Sequence, residues 1–288
     1  MTFADKNILL TGGSSGIGKA TAKQLAAAGA NLFIVARDPA KLANALSEIK
    51  ADARRPAQAI EIFPADVTQW GQVRDLVNQL AKADRIPDYL FNFAGYCLPG
   101  YFHEQPLSVF HEMMSVNYFG MLHTVKAVAP FMMQRRSGHI INTSSVAGFV
   151  GAFGYAAYSA AKYACRGFSE VLRSELKPYG IRVSILFPPD TDTPGFHKEN
   201  ELKPAETFAV SANAKLMTAE QVANILLRAV ARGRFLIIPG FEGKLAYALS
   251  GLLSPILRAK LDADVRDAQK KCGLRPCDAP LEYLMDER

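Results

Sequence analysis

Short apolar runs alternate with longer helical patterns along most of this 288-residue chain. The runs lie at residues 7–11, 31–36, 59–64, 89–93, 139–143 and 182–187, with a weaker one at 235–238. Runs such as Ile8-Leu9-Leu10 are apolar without alternation, which is typical of strands buried on both faces. Repeated strand–helix units build a parallel sheet with helices on both sides. We therefore predict an α/β fold with a doubly wound parallel sheet of about seven strands and helices on both faces.

The order of the elements predicts one catalytic domain followed by an extension. Hydrophobic residues make up 49% of the chain and charged residues 21%, as in chains that bury a core. We expect residues 1–240 to form the single catalytic domain. Residues 190–217 are rich in Pro, Thr and charge, and we expect them to form a mobile substrate loop. Residues 241–288 are predicted to be a C-terminal helical extension, because an apolar stretch at 245–257 precedes a strongly charged one.

Several function classes have little support in the sequence. The net charge of +6 is modest and spread along the chain, so we expect no nucleic-acid partner. The four cysteines lack the paired spacing of a zinc site and no HExxH occurs, so we expect reduced thiols and no metal.

The apolar pattern near each end of the chain predicts where the protein resides. A strand pattern begins within a few residues of Met1. We therefore expect no signal peptide and no N-terminal membrane helix. The stretch at 245–257 is too short to span a bilayer. We expect a cytoplasmic protein whose C-terminal extension contacts the cytoplasmic face of a membrane peripherally. Packing of that stretch on the domain or on a sister subunit is the alternative.

A glycine-rich turn, TGGSSGIG at 11–18, follows the first predicted strand and precedes an alanine-rich helix. Backbone N–H groups of such a turn and the N-terminus of the next helix attract a diphosphate. The residues predicted to surround it are Gly12, Ser14, Ser15, Gly16, Ile17 and Gly18. The spacing is GxxxGxG rather than GxGxxG, and the GKS/T of a Walker sequence is absent. The turn predicts a Rossmann-type nucleotide site; a tight turn without a ligand is the alternative.

The end of the second predicted strand indicates which dinucleotide is bound. A site that prefers NAD has a carboxylate there for the ribose 2′-hydroxyl. Here Arg37 follows Ala36, and Lys41 comes one helical turn later, so two cations are available for a 2′-phosphate. Asp38 precedes Pro39 and is predicted to cap the next helix. The sequence therefore predicts NADP(H) as the cofactor.

Tyr158 and Lys162 are four residues apart, so they share one face of a predicted helix. A phenol loses its proton at about pH 10, and a nearby ammonium lowers that pKa, so such a tyrosine can act as an acid or base near neutrality. Ser145 follows the strand at 139–143. We predict that its hydroxyl forms a hydrogen bond with the substrate oxygen. Tyr155 has no lysine four residues later and is predicted not to be catalytic.

Four features carry a resemblance to a known family: TGxxxGxG at 11–18, NFAG at 92–95, Ser145, and the Tyr158/Lys162 pair. In order and spacing they resemble the short-chain dehydrogenase/reductase family over residues 7–194. The resemblance implies that Asn117 completes a catalytic tetrad and supports a proton-relay water. It also implies cofactor contacts at Asp66, Val67, Asn92, Ala94, Gly95, Tyr158, Lys162, Pro188, Thr191 and Thr193. Pro189 and Phe93 depart from the family's commoner glycine and asparagine.

The resemblance further implies that a hydride moves from NADPH to a carbonyl carbon while Tyr158 donates a proton to its oxygen. The segment FPPDTDTPGF at 187–196, followed by Glu199-Asn200 and Lys203-Pro204, is similar to members that reduce the ketone of a long-chain amino alcohol in sphingolipid synthesis. We therefore predict a lipid-like ketone as the substrate. We expect its chain to lie in an apolar channel formed by residues 146–155, where the apolar side chains are Val146, Phe149, Val150, Phe153 and Tyr155. Packing of these side chains as core beneath the loop is the alternative.

Two alternatives to this function stay open at this point. One is reduction of another carbonyl, such as a 3-oxoacyl thioester, a steroid or a xenobiotic ketone, because specificity lies in loops rather than in the fold. The other is an NADP-binding regulatory protein without turnover, which the complete tetrad disfavours. Assembly as a homodimer or homotetramer, through the helices predicted at 106–136 and 156–179, is implied by the resemblance alone.

Overall fold

The computed structural model describes residues 3–211, 216–251 and 254–272. Its strands are β1 (Asn7–Thr11), β2 (Asn31–Ala36), β3 (Ile60–Pro64), β4 (Tyr89–Asn92), β5 (Gly138–Thr143), β6 (Ile181–Leu186), β7 (Thr191–Asp192), β8 (Met217–Thr218) and β9 (Leu236–Ile237). Its α-helices are α1 (Gly16–Ala27), α2 (Pro39–Ala51), α3 (Trp70–Lys82), α4 (Leu107–Met114), α5 (Gly120–Arg135), α6 (Ala156–Leu176), α7 (Pro194–Leu202), α8 (Ala205–Ser211), α9 (Ala219–Ala231), α10 (Phe241–Leu249) and α11 (Ser254–Cys272).

The main sheet has seven strands in the order β3-β2-β1-β4-β5-β6-β9. Each neighbouring pair is parallel, with Leu10 of β1 opposite Ile34 of β2 on one side and Phe91 of β4 on the other. The predicted doubly wound sheet is confirmed, and each predicted strand is found within one or two residues. The strand order reverses beside β1, and ligands of open parallel sheets bind at such a switch point, beyond the carboxyl ends of the strands.

Two apolar cores cover the two faces of the sheet. On one face α1, α2 and α9 contribute Leu25, Leu42, Ile49, Val222 and Leu226 against Ile8, Leu10, Leu32 and Ile34. On the other face α3, α5 and α6 contribute Val73, Val77, Val128, Met132 and Leu172 against Leu9, Phe33, Leu90 and Ile140. Each fully buried Leu or Ile contributes about 1.5–3 kcal/mol relative to an exposed one. Burial on both faces is the reason why these strands are continuously apolar.

The single helix predicted at 106–136 is interrupted. A π-helical segment, Ser115–Phe119, joins α4 to α5, and Asn117 lies at its centre. A π-helical turn shifts the register of the side chains that follow it and is frequently found at functional sites. The backbone oxygen of Asn117 accepts a hydrogen bond from the Cys165 thiol of α6 at 3.2 Å. The interruption therefore aligns Asn117 with the helix that carries Tyr158.

The predicted substrate loop at 190–217 contains regular structure. Its ends, β7 and β8, form a parallel pair in which Thr191 lies opposite Met217, and α7 and α8 lie between them. Thr193 caps α7, because its hydroxyl accepts a hydrogen bond from the Phe196 amide at 3.1 Å, and Pro194 occupies the first turn. Helices this short give little periodicity, so the sequence pattern did not reveal them. Residues 212–215 lie outside the described part of the chain.

The C-terminal extension packs on the domain. The apolar stretch at 245–257 is divided between α10 and α11, and the Tyr247 ring of α10 lies 5.1 Å from the Phe149 ring. Gln269 of α11 donates a hydrogen bond to Glu206 of α8 at 3.4 Å, so the extension also contacts the substrate loop. No helix within the described residues has the length and apolar character needed to cross a bilayer. Residues 252–253 and 273–288 of the predicted extension lie outside the described part.

Candidate active site

The four residues predicted to be catalytic lie at the carboxyl edge of the sheet. Ser145 follows β5, Tyr158 and Lys162 lie on α6, and Asn117 lies on the π-helical segment. The Ser145 oxygen accepts a hydrogen bond from the Ala147 amide at 3.2 Å, which fixes the start of a 3₁₀ turn at Val146–Gly148. The Ser145 hydroxyl also hydrogen-bonds the Tyr158 phenol. The chain thus aligns a hydroxyl and a phenol at one point of the sheet edge.

Lys162 is buried beneath Tyr158. Its ammonium donates a hydrogen bond to the Thr143 carbonyl at 3.2 Å and lies 5.5 Å from the centre of the Tyr158 ring. Burial lowers the pKa of Lys162. The predicted pairing of the two side chains on one helix face is therefore found in the structure.

The pKa of Tyr158 differs from the sequence-based expectation. We expected the neighbouring ammonium to lower it. Instead burial raises it well above the ordinary phenol value, the negative charge of Glu199 acts in the same direction, and the hydrogen bond from Ser145 opposes both. The cause is the apolar setting, since Tyr158 packs against Met113, Ala157 and Ala161. A raised pKa keeps the proton on the phenol at neutral pH, which suits a group that donates a proton.

Asn117 is fully enclosed. Its amide nitrogen donates hydrogen bonds to the backbone oxygens of Tyr96 and Met113, each at 3.0 Å. Its side-chain oxygen is buried and has no hydrogen-bond partner among the described residues. A buried acceptor without a partner costs free energy, so this oxygen is suited to a donor such as a water molecule. The environment is compatible with the water-relay role that the family resemblance implied.

A cavity of about 700 Å³ lies beside the tetrad, between the glycine-rich turn, the end of β2 and the end of β4. Nine residues predicted to bind the cofactor line it: Gly12, Ser14, Ser15, Arg37, Lys41, Asp66, Val67, Ala94 and Gly95. It is large enough for a dinucleotide, because ligand pockets range from about 300 to 1,000 Å³.

The glycine-rich turn has the shape that a diphosphate requires. Gly12 has a φ of +72°, and a Cβ on it would lie 2.6 Å from the Ala94 amide nitrogen. A Cβ on Gly18 would lie 2.2 Å from the Gly12 oxygen, so both positions require glycine. Ser15 makes no side-chain capping hydrogen bond to the first turn of α1, and the N–H groups there can bind an anion. These residues fit a nicotinamide dinucleotide.

Gly95 connects the cavity to the tetrad. A Cβ at this position would lie 2.5 Å from the side-chain oxygen of Asn117 and 3.4 Å from the Lys162 ammonium. The missing side chain therefore keeps the space beside both polar groups open. This is the place where the cavity meets the catalytic residues.

The other residues predicted to contact the cofactor are not among those that line the cavity. They are Gly16, Ile17, Gly18, Asn92, Pro188, Thr191 and Thr193, together with Tyr158 and Lys162. Asn92 is buried and donates to Asn142 of β5 at 2.9 Å while accepting from Thr124 of α5 at 2.7 Å. The Thr191 hydroxyl donates to the Pro189 oxygen at 2.7 Å. These bonds hold the strands and the loop in place, and the roles of Asn92 and Thr191 toward a cofactor stay predictions.

The cations predicted to bind a 2′-phosphate lie at the mouth of the cavity. Arg37 and Lys41 are both exposed and line it. Asp38 is confirmed as a helix cap, because its carboxylate accepts hydrogen bonds from the Ala40 and Lys41 amides at 3.0 and 3.1 Å. The Lys41 backbone bond is also the main reason why the pKa of Asp38 is lowered.

The sequence did not predict two lysines of the cavity, nor the burial and pairing of Glu199 and Lys203, which it indicated only as part of the family resemblance. Lys19 and Lys198 line the cavity, although Lys19 directly follows the glycine-rich turn in the sequence. Glu199 accepts a hydrogen bond from Tyr155 at 2.6 Å and lies 3.4 Å from the Lys203 ammonium. The spacing of Glu199 and Lys203, four residues apart, was the available signal, but it lay in a segment that showed no helical pattern.

The predicted apolar channel at residues 146–155 needs a correction. Phe149 is buried and packs against Phe187 at a ring distance of 5.2 Å. Val146 and Val150 pack against the same cluster. These side chains fill the core beneath the loop and do not line a channel. Phe153 alone of the phenylalanines in this loop is exposed, beside the Tyr101 ring.

Residues 6–204 match the short chain dehydrogenase family, and the chain belongs to that family. The protein is therefore an oxidoreductase of a class that uses a nicotinamide cofactor. The fold, the glycine-rich turn and the Ser–Tyr–Lys arrangement described above agree with this assignment. No cluster of His, Cys, Asp and Glu side chains suited to a metal occurs within residues 3–211, 216–251 and 254–272.

The chain is similar to curated reductases of sphingoid ketones. It is 41% identical to 3-dehydrosphinganine reductase of Danio rerio over 251 residues, which cover 87% of this chain and 76% of the relative. It is 39% identical to 3-ketodihydrosphingosine reductase of Bos taurus over the same length, with the same coverage.

Solved structures with the same fold include complexes with either dinucleotide. A short-chain dehydrogenase from Sphingobium yanoikuyae in complex with NADPH is 28% identical, with a TM-score of 0.72 over 86% of this chain and 94% of that one. A 3-oxoacyl-[acyl-carrier protein] reductase from Brucella melitensis with bound NAD is 27% identical, with a TM-score of 0.66 over 78% and 84%. The neighbours therefore leave the choice between the two cofactors to the residues of this chain.

Proposed function

We propose that this protein uses NADPH to reduce 3-dehydrosphinganine (3-ketodihydrosphingosine) to dihydrosphingosine. The single observation that carries the reaction type is the Tyr158 phenol, hydrogen-bonded to Ser145 above the buried ammonium of Lys162. The substrate is supported by the similarity to reductases that bear its name. Reduction of another carbonyl, such as a 3-oxoacyl thioester, is the alternative.

Each residue of the site has a separate role in the transfer of the proton to the substrate. A bound nicotinamide supplies the hydride that reaches the carbonyl carbon. Ser145 hydrogen-bonds the carbonyl oxygen, and Tyr158 donates its proton to that oxygen as negative charge develops. The ammonium of Lys162 then stabilises the phenolate that remains. Asn117 holds the water through which the phenolate regains a proton.

Apolar side chains around the site support a long-chain substrate. Hydrogen bonds join three segments there. The Gly100 amide donates to the Gly154 oxygen at 2.9 Å, and the Thr207 hydroxyl donates to the Phe153 oxygen at the same distance. Each segment exposes an aromatic ring: Phe102, Phe153 and Phe208. An alkyl chain lying across them would remove apolar surface from water. We call these three rings the apolar rim.

The test is NADPH oxidation by the purified protein with a panel of ketones at matched concentrations. We expect kcat/KM for 3-dehydrosphinganine to exceed that for a 3-oxoacyl thioester and a steroid ketone by at least about tenfold, which corresponds to roughly 1.4 kcal/mol. A higher value for the thioester would replace the proposed substrate with the alternative one.

For the cofactor, we expect Arg37→Ala to weaken NADPH binding by about ten- to hundredfold, since hydrogen bonds to charged groups contribute roughly 1.5–3 kcal/mol. NADH lacks the 2′-phosphate, so its affinity should change by less than about threefold by the same reasoning. Titration of both dinucleotides by calorimetry measures the difference. Arg74→Ala is the matched control, because Arg74 is exposed and pairs with Asp75 on α3. Equal losses for both dinucleotides would assign Arg37 a structural role.

We further propose that the protein is cytoplasmic and that α10 contacts the cytoplasmic face of a membrane. Phe241 and Leu245 lie one helical turn apart, 77% and 47% exposed, and the exposed Lys244 lies beside them. Tyr247 on the opposite side of α10 packs on the domain. An exposed apolar pair flanked by a cation is suited to an anionic lipid surface. Contact of this surface with a second copy of the chain is the alternative.

Liposome flotation tests the membrane contact. We expect the double substitution Phe241→Ser and Leu245→Ser to reduce the bound fraction several-fold, because it removes about 1.5–3 kcal/mol of apolar transfer per side chain. Activity on a water-soluble ketone should be unchanged. Val171→Ser is the control for the loss of an exposed apolar side chain outside α10. Val171 lies on α6, one of the helices predicted to form the dimer. Unchanged flotation of the double variant would contradict the proposal, and a change in molecular mass would favour self-association.

A further inference from the structure

A group of buried ionisable side chains lies next to the catalytic tyrosine. Glu199 of α7 accepts a hydrogen bond from the Tyr155 phenol at 2.6 Å, and the Lys203 ammonium lies 3.4 Å from the same carboxylate oxygen. The Lys203 side chain is only 1% exposed, and its ammonium packs 4.4 Å above the Phe196 ring. Asp190, after β6, is the second carboxylate close enough to act on Glu199. We call Asp190, Glu199 and Lys203 the acidic cluster.

The charges of the acidic cluster do not cancel. Two carboxylates, Asp190 and Glu199, face one ammonium, that of Lys203, in the part of the chain that the structure describes. Burial raises the pKa of both carboxyl groups despite the ammonium. Among the described residues, Lys203 forms its ion pair with Glu199. A buried carboxylate that lacks full compensation is costly, and a second cation would remove that cost.

The acidic cluster is placed where it can reach the substrate. The Tyr155 ring lies 6.1 Å from the ring of Tyr158, and the charge of Glu199 affects the Tyr158 phenol. A carbonyl oxygen held by Tyr158 and Ser145 therefore lies within the electrostatic reach of the Glu199 carboxylate. In the proposed substrate, the carbon that bears the ammonium is bonded directly to the carbonyl carbon. The cation and the reacting carbonyl must bind close together.

We infer that Glu199 binds the ammonium group of the substrate and selects amino ketones over neutral ketones. Lys203 and Tyr155 are positioning residues, because they hold the carboxylate of Glu199 from two sides. Asp190 supplies the second negative charge. The inference rests on the proposed function, because it concerns the amino group of that substrate.

The experiment compares Glu199→Gln with the wild type on two ketones of equal chain length. One is 3-dehydrosphinganine, and the other is the same ketone with hydrogen in place of the amino group. We expect Glu199→Gln to lower kcat/KM for the amino ketone by about ten- to hundredfold, mostly through KM, as for a lost charged hydrogen bond. The neutral ketone should change by less than about threefold. Glu201→Gln is the matched control, since Glu201 is exposed on the same helix.

Two further variants keep the test decisive if Glu199→Gln does not fold. Glu199→Asp keeps the charge and should retain part of the preference for the amino ketone. Tyr155→Phe removes one positioning hydrogen bond and should raise KM a few-fold for the amino ketone only. Equal effects of these variants on both ketones would overturn the inference and leave the proposed function intact. A wild-type protein that does not reduce 3-dehydrosphinganine would overturn both.

Discussion

Replacement of Tyr158 by phenylalanine is expected to lower kcat by about a thousandfold, within the range of roughly 10²–10⁴ for loss of a general acid. The substitution removes the proton donor and leaves the ring packed against Met113, Ala157 and Ala161. NADPH should bind with nearly unchanged affinity, because the substitution removes a single hydroxyl and Tyr158 does not line the dinucleotide cavity. Stopped-flow measurement of NADPH oxidation, together with a binding titration, separates the two effects.

Tyr155→Phe is the matched control for this prediction. Tyr155 also lies at the start of α6, but its hydroxyl bonds Glu199, whereas that of Tyr158 bonds Ser145. The control should retain most of the turnover and show the modest rise in KM described above. A large loss of kcat in Tyr155→Phe with near-normal turnover in Tyr158→Phe would show that the two tyrosines have been assigned the wrong way round.

The second large effect concerns the length of the substrate chain. For a series of 3-keto amino alcohols we expect kcat/KM to rise by about fourfold for each added methylene, since each buried CH₂ contributes about 0.8 kcal/mol. The rise should continue until the chain covers the apolar rim. In the structure Phe149 is buried in the core, so this prediction rests on the exposed rings of the apolar rim instead.

Phe102→Ser provides the internal comparison for the chain-length series. Phe102 is 73% exposed in the described structure, so its loss should cost little stability. The variant should match the wild type on the shortest substrate and fall behind as the chain grows. A series that is flat with length, or a better rate with short 3-oxoacyl thioesters, would contradict a lipid substrate.

The sequence by itself determined the elements whose causes are local. A strand buried on both faces must be apolar at every position, so the seven strands could be predicted from their composition. The glycine-rich turn could be predicted because its constraints are partly local: Gly12 has a φ of +72°, and a Cβ on Gly18 would meet the Gly12 oxygen six residues earlier. The Tyr158/Lys162 pair could be predicted because residues four apart share one face of a helix. The same spacing rule was of no use for Glu199 and Lys203, since no periodic pattern marked their helix.

The tertiary structure alone decided features that depend on distant residues. Tyr155 and Glu199 are 44 positions apart, and only the tertiary fold brings them into hydrogen-bonding contact. Phe149 is a core residue because the fold packs it against both Phe187 and Tyr247 of α10. The pKa of Tyr158 is raised mainly because its packed neighbours desolvate the phenol. Burial is a property of the assembled fold, whereas helix periodicity and backbone sterics belong to short segments of the sequence.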